Sequence, residues 1–131
     1  MPVLHCVATR SLFAHAFAGA RIAYGVALVA NPRRTARRWL GDGLDSGAGR
    51  VGARALGARD ALLSAGLVQA LEREHDPVPW LVFLAASDLV DIGATVADRE
   101  DLPKHAAPAT VVLAGAFCAC GLALAAAYSQ D

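Results

Sequence analysis

The chain carries no net charge, an odd number of cysteines and no catalytic glycine loop, and each absence removes a class of function. Lys and Arg number 12, and so do Asp and Glu. No global basic field therefore points to nucleic acid as a partner. Cys6, Cys118 and Cys120 cannot pair off into a disulfide framework. Cys118 and Cys120 stand two positions apart on an apolar segment, about 200° around a helix axis at ~3.6 residues per turn, so they share no ligand face. They read as small core residues.

The opening MPVLHCVATRSLFAHAF lacks the basic n-region and unbroken apolar h-region of a signal peptide. Internal repeats and low-complexity tails are missing too. Phosphate-loop and dinucleotide glycine patterns are absent, and Ser64 and Ser87 sit in no nucleophile elbow. His15 is the one histidine inside a long apolar segment. It has no HxxH or ExxH companion, so neither a metal nor another cofactor is expected.

What the chain has is apolar length. Ala, Val, Ile, Leu, Met, Phe, Trp, Tyr and Cys make up 56% of 131 residues before the 12 glycines are added, and mean hydropathy is +0.41. Soluble domains reach ~45–50% with glycine included. The length suits one domain with one core. Four stretches, at about 11–30, 51–71, 80–98 and 106–128, match the ~20 residues that cross a ~30 Å hydrocarbon layer. The last carries no charge and is the cleanest span, with Gly115, Cys118, Gly121 and Leu122 offering a smooth packing side. The expected fold is all-α, a four-transmembrane-helix bundle with the lipid bilayer as its solvent.

Between the first two spans lies a basic loop at 33–50. Arg33, Arg34, Arg37 and Arg38 give a basic face to a short interfacial helix, and Trp39 suits the headgroup layer. Residues 41–49, rich in Gly, Asp and Ser, read as loop. Trp80 is a second interface anchor. The loops after the first and third spans hold Arg33, Arg34, Arg37, Arg38, Arg50, Arg99 and Lys104, against Arg10 and Arg73 on the other side. The positive-inside rule then places both termini outside.

The spans also contain charges, and these carry the functional reading. Asp88 and Asp91 lie mid-way along the third span, where a carboxylate costs at least ~2.5 kcal/mol on insertion scales. Leu84, Asp88, Asp91 and Thr95 share a helix face, bordered by Ser87, with Val82, Phe83, Leu89 and Val90 left for lipid. In the first span Ala18, Arg21, Gly25 and Leu28 form one stripe, and Gly25 permits close helix approach. In the second, Ala53, Gly57, Asp60 and Ser64 form a small and polar stripe. Counting depth along each helix puts Arg21, Arg59, Asp60, Asp88 and Asp91 within a slab of roughly 5 Å at 1.5 Å per residue, with Arg54 nearer the mouth.

Three arginines and three aspartates would make a neutral cluster on three helices. Asp88 and Asp91, one turn apart, would repel, leaving one protonated and the other held ionised by Arg21 or Arg59. An acid and a base in one cleft suit proton shuttling, isomerisation, cyclisation or epoxide opening. Asp60, Asp88 and Asp91 are the expected catalytic residues. Arg21, Tyr24, Arg54, Arg59 and Ser87 are expected to contact a lipophilic small molecule. The competing reading is structural: Arg–Asp pairs fix helix register in a scaffold or accessory subunit that meets a membrane partner or a second copy of itself. Ion conduction is disfavoured, because polar residues thin out towards the outer end.

Three motifs, RIAYGVALVANPRRTARRWLG at 21–41, RALGARD at 54–60 and SDLVD at 87–91, together resemble the small four-helix membrane proteins of the DUF4267 type, which are loosely similar to DoxX-like proteins. The resemblance implies a four-helix integral membrane bundle and no settled activity. DoxX-like relatives are associated with redox partners, and this chain has neither a CxxC pair nor a quinone-type histidine set.

Overall fold

A computed structural model describes residues 2–130, with side chains described from residue 9 onward; Cys6 falls outside the described side chains. The described chain is all-helical. Its helices are α1 (Pro2–Ala30), α2 (Pro32–Leu40), α3 (Gly47–Glu72), α4 (Val78–Ala97) and α5 (Ala106–Tyr128), with 3-10 turns at Gly41–Asp45 and Arg99–Asp101.

Local chemistry sets the boundaries. Asn31 caps α2, its side chain accepting from the Arg34 amide at 3.2 Å, and Pro32 supplies the first helical φ. α2 stops at Gly41, whose φ of 54° is open to glycine and strained for other residues. Ser46 caps α3 by accepting from the Gly49 amide at 2.9 Å. α3 therefore begins inside the stretch read as loop, and a 3-10 turn fills most of the remainder. α1 also starts nine residues earlier than the apolar pattern alone indicates. Asp76 accepts from the Val78 amide at 2.9 Å, and Pro79 falls in the first turn of α4.

Three helices are long and apolar enough to cross a membrane: α1 over Thr9–Ala30, α4 and α5. α3 matches them in length with 26 residues, but Arg50, Arg54, Arg59 and Asp60 reduce its apolar character. The surface suits lipid. Phe13, Leu62, Val90 and Val112 are 64%, 71%, 64% and 68% exposed, so large apolar side chains point outward on all four long helices. In water such continuous apolar surface marks an interaction site or an aggregation hazard.

The long helices associate as two antiparallel pairs, α1 with α3 and α4 with α5. The first pair meets backbone to backbone. A Cβ on Gly25 would lie 2.5 Å from the Gly57 carbonyl oxygen, and one on Gly57 would lie 2.6 Å from that of Gly25. Both small-residue stripes are buried as their spacing indicates: Ala18, Arg21, Gly25 and Leu28 on α1, and Ala53, Gly57, Asp60 and Ser64 on α3. In the second pair Gly121 receives Leu81 and Ala85. Cys118 is buried and Cys120 exposed, as the ~200° separation requires. Leu122 departs from the expected packing side and is 48% exposed.

Two apolar clusters lie along the bundle. Phe17, Ala18, Leu67, Leu81, Leu84 and Ala125 form one. Leu28, Ala36, Leu44 and Ala53 form the other, beneath α2. On α1 and α3, Arg21 and Asp60 fall between the two clusters. Trp80 packs across Gly66, where no other side chain would fit. At the end away from α2, Arg10 donates to the Ala127 carbonyl at 2.7 Å and lies 4.1 Å from the Tyr128 ring centre. His15 meets Glu72 there at 3.0 Å.

Candidate functional site

The centre of the bundle is Arg21, 4% exposed, which ties three helices together. Its Nη1 donates to Asp88 Oδ2 at 3.0 Å and its Nη2 to Asp88 Oδ1 at 2.8 Å. Nε and Nη2 both donate to Asp60 Oδ1, at 3.1 and 2.5 Å. The guanidinium is flanked by two rings, with its carbon 5.5 Å from the centre of Phe17 and 5.3 Å from that of Phe117. Both distances fall in the ~6 Å range of cation–π attraction. Four of the five guanidinium N–H groups are thus committed, and aromatic faces cover the cation.

Two carboxylates share this one arginine, and they are used unequally. Asp88 offers both oxygens. Asp60 places both of its bonds on Oδ1. No described residue donates to Asp60 Oδ2, and that atom is not fully enclosed. Asp60 has this free oxygen while being only 7% exposed itself.

Asp91 belongs to a separate unit. Arg59 Nη1 and Nη2 reach its two oxygens at 3.1 and 2.7 Å, a bidentate pair joining α3 to α4. Asp88 and Asp91 therefore have different counter-ions. The carboxylates that share one cation are Asp60 and Asp88, whereas the sequence spacing couples Asp88 with Asp91. Arg54 takes no part: its Nε donates to the Val29 carbonyl at 3.1 Å and the side chain is exposed. Without Arg54 the cluster comprises two arginines and three aspartates, and so carries one formal negative charge in excess.

Beside the cluster is a cavity of about 600 Å³. Arg21, Tyr24, Asp60, Asp88 and Asp91 line it, joined by Thr35, Arg38 and Trp39 from α2 and by His105 ahead of α5. One face of α5 forms the longest wall: Ala106, Ala109, Thr110, Leu113, Ala114 and Phe117. These recur with helical period, and four of the six are Ala or Thr. Small side chains on this face leave the space between the two helix pairs unfilled. α1 and α5 scarcely touch along this side, and the rim residues Tyr24 and Leu113 are 46% and 62% exposed. The cavity thus opens sideways, onto the surface that faces lipid if the bundle sits in a bilayer.

Of the residues singled out from sequence, Asp60, Asp88, Asp91, Arg21 and Tyr24 line the cavity. Arg54, Arg59 and Ser87 do not. Arg59 acts from behind, through Asp91. The Ser87 and Ser64 hydroxyl oxygens are enclosed with no hydrogen-bond partner among the described residues.

Sequence reasoning missed the α2 and α5 walls. Trp39 is half-buried. It turns inward and donates from Nε1 to Thr95 Oγ1 of α4 at 3.3 Å. His105 Nε2 donates to the Arg38 carbonyl at 2.7 Å, so α2 is pinned at both edges over one end of the cavity. The Ala/Thr period on α5 was the available signal for the long wall. Among the described residues no three His, Cys, Asp or Glu side chains gather as a metal-ligand group.

No family model matches the chain, and no curated protein or solved structure is significantly similar to it.

Proposed function

We propose that this chain is a four-span integral membrane protein whose cavity binds a lipophilic small molecule and performs acid–base chemistry on it. α3 serves as the fourth span: its charges turn inward to Asp91 and Arg21 or lie near the α2 end, and its outer face carries Val51 and Leu62. The arginine and lysine distribution favours an orientation with both termini outside. Membership of the DUF4267-type, loosely DoxX-like, group fits this architecture and rests on the motifs at 21–41, 54–60 and 87–91.

The observation that carries the reading is the unbonded Oδ2 of Asp60, a residue that lines a largely apolar cavity. Leaving a buried carboxylate oxygen without a donor costs stability. Here one carboxylate oxygen at bilayer depth is left for a ligand. It can accept a proton from carbon or oxygen or return one, while Arg21 holds the carboxylate in place. Cyclisation, isomerisation and epoxide opening all need such a group. Tyr24 at the rim offers a further hydroxyl.

A second reading has its own support. Every arginine–aspartate contact in the cluster crosses between helices, as register-fixing contacts in a scaffold would. Asparagine replacements at 60, 88 and 91, scored for folding yield in detergent and for binding or conversion of candidate lipids, separate the two. Normal folding with lost binding or turnover supports a site. Lost folding with unchanged ligand behaviour in the residual protein supports the scaffold.

A further inference from the structure

The two ends of the cavity differ in charge. At the α2 end stands Arg38, exposed, with no carboxylate or carbonyl partner for its guanidinium among the described residues. Of the nearby arginines, Arg37 pairs with Asp42 and Asp45, Arg50 donates to the Leu44 and Asp45 carbonyls, and Arg33 and Arg34 do not line the cavity. Thr35 and His105 line the same end. At the deep end, Asp60 and Asp88 outnumber Arg21. Between these ends the α5 wall runs from Ala106 to Phe117, roughly 16 Å at 1.5 Å per residue.

From this polarity we infer that the cavity takes an amphiphile with an anionic head, the head on Arg38 and the apolar chain directed towards Asp60. This inference rests on the cavity being a ligand site, and it fixes the class and orientation of the ligand. A cation at the mouth attracts the head, and the surplus carboxylate at the floor repels it, so only one orientation is favourable. The side opening between α1 and α5 lets the chain enter from the bilayer while the head stays at headgroup level. The head lies in the aqueous layer beside the α2 arginines, where each cation near a membrane surface contributes ~1 kcal/mol towards an anionic lipid.

Trp39 on the cavity wall is a built-in probe once Trp80, the only other tryptophan, is replaced by Phe. The purified protein in neutral detergent is titrated with dodecyl phosphate, dodecanol, dodecyltrimethylammonium and inorganic phosphate, and Trp39 emission is followed. Dodecyl phosphate is expected to bind saturably and most tightly. Its affinity is expected to fall about five- to tenfold in R38Q, and little in R33Q or R34Q, which lie on the same helix outside the cavity. R38K is expected to retain most of the binding. The Arg38 side chain makes no hydrogen bond or ion pair among the described residues, so R38Q should fold normally, and helical circular dichroism checks this.

Equal binding of dodecanol or of the ammonium amphiphile, with loss in D60N, overturns the anionic-head inference and leaves the cavity reading standing. Inorganic phosphate displacing dodecyl phosphate at comparable concentration overturns it too, because the chain would then be irrelevant. Failure of all the amphiphiles to bind saturably overturns both.

Discussion

Arg21 grips Asp88 by both oxygens, at 3.0 and 2.8 Å, while the same guanidinium holds Asp60 by one oxygen only. One buried cation thus serves two buried anions on two other helices. Replacing it by glutamine leaves two carboxylates uncompensated. R21Q is expected to lower stability in detergent by about 3–5 kcal/mol, the usual cost of breaking a buried ionic group on one side. R21K keeps the charge but loses the fork, and should fall between wild type and R21Q. Chemical unfolding followed by helical circular dichroism gives the ranking, and an R21Q protein as stable as wild type would contradict the triad.

The Arg59–Asp91 pair is more exposed, with Arg59 about one-third accessible. Its contribution should be nearer ~0.5–1 kcal/mol. A double-mutant cycle between R59Q and D91N should give coupling of that size. The same cycle between R54Q and D91N should give none, since Arg54 bonds the Val29 carbonyl instead. Equal coupling in the two cycles would restore the three-arginine cluster that depth counting suggests.

Gly25 and Gly57 meet with no room for a methyl group. G25A and G57A are each expected to destabilise by about 1–3 kcal/mol through overpacking of two backbones. G19A, where nothing lies within 4 Å of the added carbon, should be neutral or slightly stabilising because alanine is the better helix former. Melting temperatures of the three variants in one detergent test the contrast.

Trp39 is turned into the bundle and bonded to Thr95. In a W80F background its emission should be blue-shifted and shielded from iodide, unlike an indole in the headgroup layer. T95V removes the bond at little cost in volume and is expected to cost about 0.5–1.5 kcal/mol. Full quenching by iodide in the unmutated α2 would return Trp39 to the interface.

The amino-acid pattern made legible the long helices, their buried stripes and the relative levels of the charges. Those follow from helical period and rise, which are local, and so Arg21, Asp60 and Asp88 could be brought to one level before any fold was known. It could not determine rotation about the helix axes. Arg54 stands six residues before Asp60, about 9 Å along α3 and about 120° around it at ~3.6 residues per turn, so sharing a helix and a sign with Arg59 did not place it in the cluster. Asp88 and Asp91 share a face, yet each found its own arginine, Asp88 that of α1 and Asp91 that of α3.

The tertiary structure alone decided the pairing and the cavity. A small-residue face on α5 means close packing if a partner fills it and an empty groove if none does. Here the two helix pairs stand apart along that face, and α2 folds over one end, tied by Trp39 and His105. An amphipathic basic helix has the same sequence whether it lies on a membrane or closes a cavity. The choice rests on contacts between residues 56 and 67 positions apart in the chain, Trp39 with Thr95 and Arg38 with His105, which no local pattern encodes.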